Sequence, residues 1–248
     1  MTGSPRVPRM ALAVTALLAV APIAAAQAPV PAETIACAPR LPGTEDAGAP
    51  RLVGHPGGEL RRVFQEGDAV LLAVGSADGV SVGTQFFLRR TAVPAEHVLR
   101  GTGLRALVTS GWVRTVEVDE HASLGVVEHA CREVRPEDRL HPFQWPAAVS
   151  PAASGTPDYE GFATVLLGEE GRSLLSAGQF AVIDRGEELG LRPGQAVTFY
   201  QPALADQPAT ITHLGSGVVV LVDPLSATVL LQATRAPVRT GDRAAPHR

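Results

Sequence analysis

The 248-residue chain contains no lysine and no asparagine, so all 21 of its basic residues are arginines. Only 4% of its residues are aromatic, and only two are cysteines. Each scarcity removes a class of protein. With a formal charge of −4 and arginines interleaved among acids, there is no basic face for nucleic acid. Two cysteines cannot build a zinc knuckle, and none of the seven histidines falls in an H-x-x-x-H or H-E-x-x-H pair. The shortage of aromatics weakens any sugar-stacking platform. Glycine (25 residues) and proline (21) are abundant but not periodic, which excludes a collagen. Enough Val and Leu remain to argue against wholesale disorder. No cofactor is implied by any of this.

Long apolar runs are also missing, with one exception at the N-terminus. Residues 1–9 carry Arg6 and Arg9 and no acid, and residues 10–24 form an apolar run. That run is shorter than the ~20 residues a spanning helix needs, and Ala24-Ala25-Ala26 supplies a small-residue cleavage pattern. The pattern predicts a signal peptide over residues 1–26, a mature start at Gln27, and export from the cytoplasm. Cys37 is too far from the apolar run for a lipoprotein. In an oxidising compartment the even pair Cys37 and Cys131 predicts a disulfide. The competing reading is a catalytic thiol at Cys131 with His129, two residues away, as its base.

What is plentiful is repetition. Residues 67–90 and 178–201 read alike, and four glycine pairs lie 111 residues apart: 67 and 178, 75 and 186, 79 and 190, 83 and 194. Residues 134–139 and 238–243 share the pattern V-R-x-x-D-R, in which Asp138 and Asp242 are expected to cap turns. Between these anchors, 115–127 parallels 218–230, aligning Ser123 with Ser226. Short β-branched runs bounded by Gly, Pro and Asp predict strands at 69–74, 85–90, 113–118 and 123–129. The second copy repeats them at 180–184, 196–200, 217–222 and 227–232. The best helical candidate is short, 94–100. The expected fold is all-β, two tandem small β-barrel-like (SH3-like) modules. They would occupy 56–143 and 159–245, after an extended arm over 27–55, with a Pro/Ala/Ser linker at 144–158. Gly75, Gly79, Gly83, Gly186, Gly190 and Gly194 are read as structural turn residues.

These residues resemble a known family. Gly75, Gly79, Val80, Gly83, Glu117, Val118 and Ser123 fit the pattern of the C-terminal domain of flagellar assembly protein T and of related envelope modules. The closing G-D of that pattern is Glu137-Asp138 in the first copy and Gly241-Asp242 in the second. The resemblance covers 67–143 and, more weakly, 178–244. A looser similarity, through 190–197 and the apolar run ending near Leu230, is to the β domain of rod-shape-determining protein C. Both imply an envelope scaffold.

Residues 79–83 also spell G-x-S-x-G, the nucleophile-elbow pattern, which would make Ser81 a hydrolase nucleophile. The segment after it reads as strand rather than helix, and Arg192 replaces the serine in the second copy. His121, beside Asp119 and Glu120, reads as a solvated turn. The pairs Arg61-Arg62 and Arg89-Arg90 read as exposed strand ends. Trp112, Trp145, Tyr159 and Phe162 read as core or linker-docking residues. The sequence therefore predicts a non-catalytic exported scaffold, assembly or interaction module whose partners are other envelope proteins or peptidoglycan. A peptidoglycan- or glycan-binding module is the alternative, and a hydrolase using Ser81 is a third reading.

Overall fold

The structure, a computed structural model, describes residues 28–41, 48–92, 105–152, 155–202 and 211–248. The expected signal peptide and the helical candidate at 94–100 lie outside the described residues. Among the described residues, no helix is long and apolar enough to cross a membrane.

Two antiparallel six-stranded units make up the fold. The first contains β1 (Leu52–Gly54), β2 (Ala69–Leu72), β3 (Gln85–Ala92), β4 (Ala106–Val118), β5 (Ser123–Ala130) and β6 (Arg139–Pro142). Their order is β1-β2-β5-β4-β3-β6. Three backbone hydrogen bonds join the outer strands, from Leu52 N–H to Asp138 O, Glu137 N–H to Leu52 O and Leu140 N–H to Pro50 O, at 2.7–2.9 Å. Pairing the outer strands leaves little open edge for adventitious strand addition.

The second unit is a closed barrel. It is built from β7 (Ala163–Gly168), β9 (Phe180–Ile183), β10 (Ala196–Pro202), β11 (Ile211–Val222), β12 (Ala227–Thr234) and β14 (Arg243–Pro246), in the order β10-β11-β12-β9-β7-β14. Two short strands, β8 (Leu174–Leu175) and β13 (Val238–Arg239), pair beside it. The same contact in the first unit is the bridge between Phe64 and Val134. Substituting equivalent strands turns one order into the other, so the fold is all-β and duplicated.

The duplication reaches the irregularities. In both modules the β3/β4 and β10/β11 ladders slip after Leu88 and after Phe199. The β4/β5 and β11/β12 ladders each slip twice, at matching places. Such bulges bend a strand and tighten its twist, which a six-stranded ring this small requires. Gly111 and Gly215 flank the first slip, and a Cβ on either would collide with a backbone carbonyl, of His129 and of Ala233.

Strand alternation fills the two interiors with aliphatic side chains. Leu52, Leu72, Leu88, Val113 and Val127 are buried in the first, and Val165, Ile183, Val197, Phe199 and Val229 in the second. The fillings compensate: Leu52 and Leu140 of the first module correspond to Val165 and Ala244, while Val80 and Leu88 correspond to Leu191 and Phe199. Interior volume is thus redistributed rather than lost.

Three expectations need correction. β1 lies inside the stretch read as arm, because Pro50 and Pro56 around it mimic a leader. The arm is not wholly extended, since Ala32–Ala36 forms one turn of helix, α1, behind Pro31. Finally, Ser123 corresponds to Ala227, not to Ser226: Ser123 pairs with Leu72 exactly where Ala227 pairs with Ile183.

Candidate functional site

The arm is what joins the two modules. Its residues Val30, Ile35 and Ala38 are buried against Val149, Phe180, Val218 and Val220 on the outside of the second barrel. Leu41 enters a cluster shared by Ala106 and Val108 of the first module and Leu166, Leu167 and Val182 of the second. Arg40 and Leu107 exchange backbone hydrogen bonds at 2.8 and 2.9 Å, and the buried Thr228 hydroxyl donates to Pro39 O at 2.6 Å. Arg132 of the first module faces Glu169 of the second at 3.7 Å.

A disulfide between Cys37 and Cys131 anchors the arm to the first module, with Cα atoms 5.6 Å apart. His129 lies within 4.8 Å of both sulfurs. Its ring stacks on Trp112 at 4.4 Å, and its Nδ1 is 3.4 Å from both Glu33 and Glu66. Because the two sulfurs are bonded to each other, neither is a thiolate for His129 to activate. The bridge spans 94 residues. In the chain-entropy account it is worth about 4 kcal/mol, chiefly through the unfolded state. Cys37→Ser is therefore expected to lower stability by about 2–4 kcal/mol in urea titrations, and adding a reductant to the wild type should reproduce that loss.

Where the arm crosses between the modules it roofs a cleft of about 420 Å³. Ile35, Ala38 and Arg40 come from the arm, and Phe87 and Arg89 from β3. Trp145 and Val149 of the linker and Val220 and Leu221 of β11 complete the walls. The lining is mostly apolar, and its charges are two arginines. Arg40 is neutralised: its Nε and Nη2 both hydrogen-bond the Asp223 carboxylate. Arg89 is not. Its guanidinium lies 4.5 Å from the centre of the Phe87 ring, and its buried Nε has no hydrogen-bond partner. Among the described residues no carboxylate pairs with it. Burial, and then the neighbouring Arg40 charge, lower its pKa to about 10, so it stays protonated at neutral pH. Trp145 is 48% exposed and packs edge-on against Trp112 and Phe143, leaving the cleft open at that rim.

None of the glycines and aspartates read from the sequence lines this cleft; they sit at the turns, Gly194 directly after the lining residue Pro193. Gly79 and Gly190 end matching 3-10 turns in the left-handed region, at φ 80° and 81°. Gly83 and Gly194 have φ 89° and 88°, while Gly75 and Gly186 abut backbone carbonyls of the opposing hairpin. Asp138 and Asp242 accept the backbone N–H groups of Arg135 and Arg239, at 2.9 and 2.6 Å. The exposed Ser81 sits in the turn before β3, with its hydroxyl 3.3 Å from that of Thr84. Among the described residues no histidine hydrogen-bonds it. His121 is exposed, 3.8 Å from Glu120.

The basic pair Arg89-Arg90 is not an exposed strand end. Arg90 Nη1 bonds Asp138, Ser110 and the Glu133 carbonyl, and Arg89 lines the cleft. The only hint of this in the sequence is that Phe87 and Arg89, two apart on a strand, share one face.

Fold and site together define a tandem β-barrel-like protein whose two modules are clamped by a disulfide-anchored N-terminal arm. No protein-family model matches the chain, and no curated protein matches it.

Proposed function

We propose that this chain is a non-catalytic, exported cell-envelope protein that acts as a scaffold, assembly or interaction module. One observation carries the reading. What the two copies share is backbone architecture: strand order, bulges, left-handed glycines and the two capping aspartates. The polar side chains that could do chemistry are not shared, Ser81 against Arg192 being one case. The disulfide is compatible with an extracytoplasmic setting. The resemblance to the flagellar assembly protein T domain and the weaker one to the rod-shape-determining protein C domain favour an envelope role.

The test uses the full chain, produced with its own N-terminal segment in a diderm bacterium. Periplasmic release with an N-terminus at Gln27, and no labelling by a serine-directed phosphonate, are the expected results. Cytoplasmic retention would overturn the export reading. Labelling that vanishes in Ser81→Ala would establish the hydrolase reading instead. The half-exposed Trp145 is the observation that favours the glycan-binding alternative, for which co-sedimentation with purified peptidoglycan is the direct measurement.

A further inference from the structure

The cleft has a chemistry more specific than a general docking surface. Withdrawing part of a guanidinium from water is costly unless its donors are paired, and Arg89 is half-buried with its Nε buried and unpartnered and a second arginine beside it. The barrel ladders do not use this charge: Arg89 points outward from β3 with Phe87, away from the core that holds Leu88, and its guanidinium rests on the Phe87 ring without meeting a carboxylate among the described residues. An apolar side chain would fill the same space without the desolvation cost. A planar, fork-shaped donor group in a partly dry pocket matches one ligand feature best, a carboxylate.

The walls restrict the rest of the ligand. Ile35, Val149, Val220 and Leu221 are aliphatic and offer nothing to a hydroxyl-rich sugar, whereas apolar side chains fit them. Gln144 is the neutral polar side chain in the lining and can pair with a peptide group. The opening beside Trp145 lets a chain continue into solvent. We infer that the cleft binds the free C-terminal end of an apolar peptide chain, with Arg89 receiving the terminal carboxylate, Arg40 flanking it and Trp145 closing over the preceding residues.

This inference rests on the binding-module reading but fails separately from it. The probe is an acetylated Val-Val-Leu tripeptide with a free carboxylate, titrated calorimetrically into the full, oxidised chain. Its C-terminal amide and octanoate serve as the two comparison ligands. The free acid is expected to saturate one site, with the amide at least tenfold weaker and octanoate weaker than the peptide. Arg89→Gln should lose at least tenfold in affinity while melting no lower than wild type, because it removes a poorly solvated charge. A residue kept only for structure would behave the opposite way. Trp145→Ala, at the exposed rim, should weaken binding severalfold in a chain that folds normally.

Equal affinity for acid and amide, no binding at all, or an Arg89→Gln variant that binds like wild type would each overturn the inference. Tighter binding of octanoate than of the peptide would overturn the peptide assignment in favour of a lipid-type acid. An exported, phosphonate-inert chain that ignores all three ligands would sink the carboxylate site alone and leave the scaffold reading standing.

Discussion

Asp138→Ala is expected to cost the first module about 3–5 kcal/mol, while the equivalent Asp242→Ala costs the second about 1–3 kcal/mol. The two aspartates occupy the same turn and cap it identically. They differ in what else they hold. Asp138, with a side chain 1% exposed, accepts from the Arg90 guanidinium at 2.9 Å. Asp242 accepts from the neutral Gln201 amide at 2.7 Å. Removing Asp138 leaves a partly buried cation with only the neutral acceptors Ser110 and the Glu133 carbonyl, whereas removing Asp242 takes an acceptor from a neutral amide. Urea unfolding read by tryptophan fluorescence follows the first module, which holds Trp112, and tyrosine emission follows the second, which holds Tyr200. Equal losses in the two variants would show that the cap, not the ion pair, carries the energy.

The second large effect is expected at Gly111 and Gly215. Alanine at either places a methyl group on a carbonyl oxygen of the neighbouring strand, His129 in one module and Ala233 in the other. Backbone cannot step aside without undoing the slip in the ladder, so each substitution should cost at least about 3 kcal/mol and unfold its own module first. Gly79→Ala provides the contrast. Its φ is 80°, but nothing lies within 4 Å of an added Cβ, so about 1–2 kcal/mol of backbone strain is all that is expected. Comparable melting shifts for Gly111→Ala and Gly79→Ala would remove the steric argument.

The same Gly111 explains part of what the sequence leaves unread. All eight expected strands form, because each is a β-branched run bounded by turn residues. β4 starts at Ala106, well before the expected 113, since Ser110-Gly111 looks like a break in a one-dimensional pattern and becomes a bulge only when β3 lies alongside. Six strands, β1, β6, β7, β8, β13 and β14, are not read from the sequence: all but β7 span only two to four residues, and β7 follows closely on the Pro-rich linker. The repeat was legible because glycines with left-handed backbone cannot drift. The cleft was not, because its walls come from five segments that only tertiary packing brings together. Arg89 looks in sequence like its neighbour Arg90, and strand alternation, with the arm above one face of β3, separates a carboxylate-paired charge from an unpaired one.

The arm also sets the order in which the molecule can be completed. It leaves the ribosome before either module, and every surface it rests on is made later: Leu107, then Cys131, then Val218 and Val220, and finally Thr228. Each module can form its own ladders as it is synthesised, because its strands pair within the module. The clamp cannot. Seating of Ile35 against Val218 and Val220 therefore comes after the Cys37–Cys131 bond can close, and a chain truncated before β11 would lack three strands of the second barrel and could tie its arm only to the first module.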